Sequence, residues 1–326
     1  MEWERVSGGM LNSINSRNMK KSLISNLLIL LAVLTASMSC SEWKETESVR
    51  IEVTQPWASD PSLWEDYKAS LRSYKQSQHY IAYARLENSP DKATSEKSFM
   101  RSLPDSLDIV SLTNAENFSQ YDAADMDWMR SVGTRVLYQI DIASVQDGVE
   151  TMDDISRLLD MAIMTVSENR LDGFAFTGIP RMDGPLSVEM SNMIVQRLSN
   201  AKSEGMLLVF EGDPLFVTQE NLDKIDLFVL DSHSMEYSYD VKMAVQYAVS
   251  ILGIPEKKIL LSASIDGSIM DESLEVQPSL NAIVERVVSL GPLGGFAVYD
   301  IESDYYNYEG NYIMTRNAIQ QLNYSK

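Results

Sequence analysis

The chain contains few of the residues that build metal centres or disulfide frameworks. Its 326 residues include one cysteine, Cys40, and two histidines, His79 and His233. A structural zinc site needs four cysteine or histidine ligands, and a disulfide needs two cysteines. The sequence therefore excludes both kinds of site, and we predict no metal ligands.

Positive charge is also scarce. The chain has 27 Lys and Arg against 47 Asp and Glu, which gives a formal net charge of −20. Proteins that bind nucleic acids present a basic surface to the phosphates, so this balance argues against a DNA or RNA partner. With 44% hydrophobic and 23% charged residues the composition is that of a globular protein. Its chemistry is left to carboxylates, aromatic rings, hydroxyls and amides.

The amino terminus has the pattern of a secretion signal. Lys20 and Lys21 precede an apolar run over residues 23–34, and small residues then lead to Cys40. A basic segment, a short apolar segment and small residues in this order are typical of a signal peptide. The run is shorter than the roughly 20 residues of a membrane-spanning helix, although a short membrane anchor is the alternative.

The position of Cys40 resembles that of the lipid-accepting cysteine in bacterial lipoprotein signals. We divide the chain into an upstream mis-start (1–18, because Met19 is the better start), a signal peptide (19–39), a linker from lipidated Cys40 (40–61) and a folded domain (62–326). A lipid on Cys40 would tether the protein to a membrane without spanning it. The acidic residues after Cys40 resemble the stretch that sends some lipoproteins of gut Bacteroidetes to the cell surface. We therefore expect a surface-exposed outer-membrane lipoprotein of the cell envelope.

Apolar runs alternate with helical patterns from residue 62 onward. A helix is predicted over 63–76 and another over 152–169, where apolar residues form a single stripe. Eight strands are predicted, at 79–84, 109–112, 135–140, 173–177, 206–210, 227–230, 258–262 and 295–299. These strands are apolar on both faces, as buried parallel strands are. The pattern predicts an α/β protein with a (β/α)8 TIM barrel, and a doubly wound open sheet is the alternative. No Gly-rich fingerprint follows a strand, so we predict no dinucleotide cofactor and no other cofactor.

Acidic, amide and aromatic residues follow the predicted strands, where a TIM barrel places its active site. Aromatic faces and hydrogen-bonding groups together suit a sugar. For any one of these residues, a capping or solvated role is the alternative. His79 and His233 are interpreted as capping or surface residues, Asp172 as a brace of the barrel, and Tyr299 as either the floor of a sugar site or part of the core.

The segment 169–179 resembles the fourth strand of glycoside hydrolase family 18, whose signature there is D-G-x-D-x-D-x-E. Residues 105–112, 133–138 and 294–299 are similar to the second, third and eighth strands of that family. The resemblance extends from about residue 62 to the end, and is strongest to the lipoprotein members in Bacteroidetes. It implies the fold of chitinases and endo-β-N-acetylglucosaminidases.

The same segment departs from the family at the acidic positions. Asp172 and Gly173 match the start of the signature, whereas Ala175, Thr177 and Ile179 replace the two further Asp and the final Glu. In the family that Glu is the general acid, and the neighbouring Asp orients the acetamido group of the substrate, whose carbonyl attacks the anomeric carbon. Loss of a general acid typically costs a factor of about 10² to 10⁴. The resemblance therefore implies that family-type hydrolysis is lost, and we predict no catalytic residues.

We interpret the chain as a non-catalytic glycan-binding protein that captures oligosaccharides containing N-acetylglucosamine, such as N-glycans or glycoproteins, beside outer-membrane glycan-uptake proteins. The predicted ligand-binding residues are Tyr83, Phe176, Glu211, Asp231, Tyr299, Asp300, Tyr305 and Tyr306. One alternative is an active endo-β-N-acetylglucosaminidase or other glycosidase with relocated carboxylates among Glu211, Asp213, Asp231, Asp300 and Glu302. The other is a scaffold lipoprotein that binds no sugar.

Overall fold

The computed structural model describes residues 60–88, 95–145, 152–180 and 185–324. The predictions for the signal peptide, the linker and lipidated Cys40 concern residues outside these ranges. Within the ranges, no helix has the length and hydropathy needed to cross a membrane.

Eight parallel strands close into a barrel. They are β1 (Ile81–Leu86), β2 (Ile109–Leu112), β3 (Arg135–Ile140), β4 (Gly173–Gly178), β5 (Leu207–Gly212), β6 (Leu227–Leu230), β7 (Ile259–Ser264) and β10 (Gly295–Tyr299). Neighbours in sequence pair with each other, and β10 closes the ring on β1, with Ile81 opposite Gly295 and Tyr83 opposite Ala297. The predicted (β/α)8 TIM barrel is confirmed, and the open sheet is excluded. Each of the eight predicted strands overlaps an observed one.

A hairpin of two short strands, β8 (Ser268–Met270) and β9 (Val276–Pro278), follows β7. The sequence did not predict it, because three-residue strands that are mostly exposed lack an apolar run.

Helices cover the outside of the barrel. They are α1 (Pro61–Gln76), α2 (Gln120–Val132), α3 (Ile142–Val145), α4 (Met152–Asn169), α5 (Pro185–Ala201), α6 (Ser238–Ser250), α7 (Ser279–Ser289) and α8 (Ile313–Asn323). The start of α1 is fixed by Asp60, whose carboxylate accepts hydrogen bonds from the backbone N–H groups of Ser62 and Leu63. The predicted helix over 152–169 coincides with α4, and its buried positions are Ile155, Leu159, Ala162 and Val166.

The alternation of side chains along each strand produces two cores. Inward-facing residues fill the barrel, among them Tyr83, Leu137, Ala175 and Val209. Outward-facing residues pack under the helices. Phe176 belongs to this outer layer: it is fully buried, and its ring lies 5.1 Å from that of Phe210. The prediction that Phe176 contacts a ligand is therefore wrong.

Gly173, the glycine of the β4 signature, is required by the packing of the barrel strands. Its φ is +141°, and a Cβ atom there would lie 2.0 Å from the carbonyl oxygen of Leu207 on β5. Any other residue would push β4 and β5 apart.

Three aspartates brace the base of the barrel, the end at which the strands begin. Asp108, Asp172 and Asp226 precede β2, β4 and β6, and their carboxylates accept hydrogen bonds from the N–H groups of Ala82, Val136 and Leu208, at 2.8, 2.8 and 2.7 Å. The N–H of each aspartate donates in return to the carbonyl of the same partner. Each aspartate thus joins the start of its strand to the preceding strand, which agrees with the bracing role predicted for Asp172.

Candidate binding site at the barrel mouth

A cavity of about 430 Å³ opens at the carboxyl ends of the strands, which we call the mouth. It lies on the side where β1, β2 and β10 meet, and it is lined by Arg85, Glu87, Thr113, Asn114, His233, Tyr299, Asp300 and Glu302. Its volume is within the range of small-molecule sites, about 300–1,000 Å³. Active sites of TIM barrels lie at this end.

A buried carboxylate, Glu211 at the end of β5, lies beneath the cavity. It is 2% exposed and accepts hydrogen bonds from the Tyr83 hydroxyl, Arg85 Nε, Gln139 Nε2 at 3.0 Å and the Tyr299 hydroxyl at 3.2 Å. Neither Glu211 nor Tyr83 lines the cavity. The structure places both predicted ligand-binding residues beneath the cavity rather than in its lining, with their polar atoms engaged in this network.

The charges of the network keep its donors protonated. Burial, and then the negative charge of Glu211, raise the pKa of Tyr83 and of Tyr299 well above the usual 10. Burial works to lower the pKa of Arg85, but the charge of Glu211, the hydrogen bond to it and the charges of Tyr299 and Tyr83 together outweigh burial, and the pKa is raised. The Arg85 guanidinium carbon lies 3.5 Å from the centre of the Tyr299 ring. Arg85 is therefore fixed as a cation by a carboxylate and an aromatic face together.

Tyr299 belongs to the barrel core and also lines the cavity. It is only 3% exposed. The ring of His233 packs edge-on against it, with centroids 4.5 Å apart.

His233 is a wall of the cavity, which corrects its interpretation as a capping or surface residue. Its Nδ1 lies 2.7 Å from Asp231 Oδ1 and 3.1 Å from Ser262 Oγ. Asp231 was predicted to contact a ligand directly. The structure places it outside the lining residues, where it orients His233.

Three acidic residues face the cavity. Glu87 and Asp300 are exposed, and the half-buried Glu302 accepts a hydrogen bond from the backbone N–H of Glu87. Burial raises the pKa of Glu302, and the charges of Glu87 and Asp300 add to this effect.

Among the described residues of β4 and the turn after it, up to residue 180, no side chain carries a carboxyl group. Ala175 is fully buried inside the barrel, and Ile179, just after β4, is 49% exposed. The Thr177 hydroxyl donates to Asp141 Oδ1 at 2.7 Å and accepts from the N–H of Ala143 at 3.0 Å. These contacts give Thr177 a structural role at the end of β3 and β4.

The tyrosine-rich loop after β10 lies outside the cavity lining. Tyr305, predicted to contact a ligand, is 8% exposed, packs against Tyr312 and donates to Glu96, so the structure places it away from the cavity. Tyr306 is 72% exposed, with its hydroxyl 2.6 Å from Ser95 Oγ, and keeps an accessible ring.

Sequence reasoning missed Arg85 and Thr113 as cavity residues. For Arg85 a signal was present: it lies two residues after Tyr83 on β1, so both side chains point into the barrel. An arginine at an inward position near a strand's carboxyl end indicates a carboxylate partner at the mouth. For Thr113, a threonine one residue after β2, the sequence offered no such signal.

Comparison with known proteins supports the family resemblance. The model for glycoside hydrolase family 18, BT1044-like, matches residues 44–156. The segment 169–179, which includes β4, lies after the matched residues. No curated protein sequence matches the chain.

Solved structures of this family share the barrel. A Glu-to-Gln variant of Bacteroides BT1044 superposes with a TM-score of 0.61 at 19% identity, over 82% of this chain and 94% of that one. An endo-β-N-acetylglucosaminidase from Cordyceps militaris gives 0.59 at 16% identity, over 79% and 96%. A Glu-to-Leu variant of the second catalytic domain of the Ostrinia furnacalis Group II chitinase, in complex with an N-acetylglucosamine oligosaccharide, gives 0.55 at 10% identity, over 76% and 97%. The resemblance to glycoside hydrolase family 18 is confirmed by these matches.

Proposed function

We propose, from the premise of a family 18 barrel, that this protein is a non-catalytic glycan-binding protein whose mouth holds an oligosaccharide containing N-acetylglucosamine, such as an N-glycan. The single observation that carries the proposal is the β4 side of the mouth. At the position where the family has its general acid, the chain has Ile179, and Thr177 replaces the Asp beside it. An isoleucine has no proton to donate, and the Thr177 hydroxyl is engaged with Asp141.

The cavity supports binding. Hydroxyl groups of a sugar can donate to the carboxylates of Glu87 and Asp300 and bond to the Asn114 amide. The Ostrinia furnacalis chitinase variant, in which a Glu is replaced by Leu, is in complex with an oligosaccharide. Exchange of a glutamate for an apolar residue is thus compatible with a bound sugar in that barrel.

The proposal includes a lipid tether. Cys40 would carry the lipid, and residues 41–59 would link it to the barrel, which begins at α1. The protein would then display its mouth at the outer membrane, next to the proteins that take up the captured glycan.

A second candidate function is glycoside hydrolysis by relocated carboxylates. Glu302 favours it, because it lines the cavity and burial raises the pKa of its carboxyl, which is the direction of shift that a general acid needs. Asp300 and Glu87 line the same cavity and would supply the second carboxylate. Glu211, in contrast, is excluded from this role by its four hydrogen bonds.

The test combines binding and cleavage in one sample. The full chain in detergent micelles is titrated with N-glycans and chitooligosaccharides in a calorimeter, and the mixtures are then analysed by mass spectrometry. We expect heat of binding and no product, and about tenfold weaker binding for Asn114→Ala, equivalent to about 1.4 kcal/mol. Asn200→Ala, an exposed change on α5, is the matched control and should bind like the wild type.

If the wild type releases sugar and the Glu302→Gln variant does not, the glycosidase function replaces the proposed binding function. If none of these sugars gives heat of binding or a cleavage product, both candidate functions are contradicted. That result would favour a scaffold lipoprotein without a sugar ligand.

A further inference from the structure

Helix α6 is apolar on both of its faces. Its inner face packs on the barrel through the buried side chains of Val241, Val245 and Ala248. Its outer face carries four large side chains at intervals of four residues, which we call the α6 ridge: Tyr239, Met243, Tyr247 and Ile251. Residues four apart lie side by side on an α-helix. A surface helix normally has a polar outer face, and a helix that is apolar all round is normally buried. The α6 ridge therefore has the composition of a surface that another molecule covers.

The exposed area of the α6 ridge is what a small homodimer interface requires. With about 200 Å² of surface for a large side chain, exposed fractions of 57, 45, 39 and 67% leave about 400 Å² of the ridge open to a partner. Specific interfaces bury at least about 600 Å² on each partner, and homodimer interfaces are about 65% apolar, which requires about 400 Å² of apolar surface. The ridge supplies this area on a single helix.

The charges of α6 favour a second copy of the same chain as the partner. The chain has a formal net charge of −20, so two copies repel each other over most of their surface. The charged residues of α6 are Asp240 and Lys242, whose charges cancel. A two-fold dimer places the same surface on both partners, so a neutral ridge meets a neutral ridge and no surplus charge is buried. The thioether of Met243 then also has tyrosine rings of the other copy to contact.

A membrane surface suits the α6 ridge less well. Helices that lie in the plane of a membrane interface carry several Lys or Arg on their polar face, which attract anionic lipids. Helix α6 has one lysine, Lys242, and it is half-buried, whereas Asp240 is exposed. The helix therefore lacks the basic residues that would hold it on a lipid surface.

We infer that the α6 ridge joins two copies of this chain in a symmetric dimer. The inference goes beyond the proposed sugar binding, because the ridge lies on the outside of the barrel and none of its four residues lines the cavity at the mouth. Dimer formation and sugar binding can therefore be tested separately.

Native mass spectrometry of the full chain, released from detergent micelles over a series of protein concentrations, measures the fraction of dimer. We expect the wild type to form dimers below about 100 μM. Met243→Lys should raise the dissociation constant at least about a hundredfold, because a two-fold interface contains the buried charge twice. Ile251→Lys changes the most exposed residue of the ridge and should weaken the dimer as well.

Met161→Lys is the matched control. Met161 lies on α4 and is 51% exposed, and the same substitution there changes the net charge by the same amount. Its dissociation constant should stay within about twofold of the wild-type value, as expected for a surface change away from the interface. All three variants replace exposed residues, so their urea midpoints should stay close to that of the wild type. Met243→Lys should also bind sugar like the wild type in the calorimeter.

A wild type that stays monomeric up to about 100 μM would overturn the inference, and would leave the ridge to an unlike protein or to a membrane. A dimer that survives both Met243→Lys and Ile251→Lys would place the interface elsewhere and overturn it too. The same holds if Met161→Lys weakens the dimer as much as Met243→Lys does. None of these results bears on the proposed function, which depends on the heat of sugar binding.

Discussion

The base and the mouth of the barrel use acidic residues in opposite ways. At the base, the carboxylates of Asp108, Asp172 and Asp226 are filled by backbone N–H groups of the preceding strands. At the mouth, those of Glu87, Asp300 and Glu302 face a cavity and have no cationic partner among the described residues. Residues of the same chemical type are thus structural at one end and available to a ligand at the other. The role of each carboxylate depends on whether neighbouring residues donate hydrogen bonds to it.

Glu211 is the exception that sharpens this comparison. It lies at the mouth, yet its oxygens are as fully used as those of the base aspartates. Its partners are side chains from β1, β3 and β10, whereas each base aspartate uses the backbone of one strand. Position at the mouth is therefore not sufficient for a carboxylate to contact a ligand.

The largest effect is expected from Glu211→Ala. The change leaves Arg85 largely buried without its counter-ion and removes the acceptor of Tyr83, Gln139 and Tyr299. We expect a loss of about 3 kcal/mol in the free energy of unfolding, at the low end for a broken buried pair because part of Arg85 is exposed. Urea denaturation measures it, with Glu309→Ala as the exposed control. A loss below about 1 kcal/mol would show that Glu211 is not structural.

A smaller effect is expected at the base from Asp172→Ala. The N–H of Val136 loses its acceptor in a buried setting, which costs about 1–3 kcal/mol. Asp172→Asn keeps an oxygen acceptor, and burial already raises the pKa of Asp172 and so disfavours its charge, so the Asn variant should be the more stable of the two. If the two variants unfold at the same urea concentration, the hydrogen bond to Val136 is not what stabilises this end.

The base should also show a pH dependence through His79. Burial works to lower the pKa of His79, but the hydrogen bond to Asp108, at 2.8 Å, the charge of Asp108 and the hydrogen bond to the Ser77 carbonyl together outweigh burial, and the pKa is raised above 6.5. A raised histidine pKa stabilises the fold fully below about pH 6.5, the unfolded value, and the contribution is lost as pH rises through the folded pKa.

The measurement compares urea midpoints of wild type and His79→Gln between pH 6 and 7.5. The stability advantage of the wild type should shrink across this range. The upper limit of pH 7.5 keeps the measurement below the titration of Lys75, because burial lowers the pKa of Lys75 to about 8. An advantage that stays constant or grows with pH would contradict the assignment.

The smallest effect on stability is expected from Ile179→Glu, which returns a carboxyl to the β4 side of the mouth. Ile179 is half-exposed, so the free energy of unfolding should change by less than about 0.5 kcal/mol. No cleavage of chitooligosaccharides should appear by mass spectrometry, because Ala175 and Thr177 still replace the two Asp. If Ile179→Glu cleaves the sugar and neither the wild type nor Ile179→Gln does, a general acid at position 179 is the one group that the mouth needs for hydrolysis.

Much of the fold could be predicted because periodicity is a local property. The apolar stripe of α4 and the apolar runs of the eight barrel strands are patterns of residues close together in the sequence. The regular spacing of the βα units then restricts the number of possible topologies. The β8–β9 hairpin was missed because short exposed strands carry no such signal.

The site was predicted only in outline. The sequence placed Tyr299, Asp300 and Glu302 at the end of a strand, and all three line the cavity. It could not tell that Phe176 faces the helices or that Tyr305 is packed against Tyr312, because the direction of a side chain depends on strand register and loop packing.

The sequence by itself determined the barrel and the identities of Ala175, Thr177 and Ile179 on and after β4, since both follow from residue identity and spacing along the chain. Only the tertiary structure decided which carboxylates are consumed and which are open. Glu211 meets Arg85 from 126 positions away, and Glu302 meets Glu87 from 215. Hydrogen bonds and charge pairing act over a few ångströms in space, so their outcome is fixed only when the barrel closes.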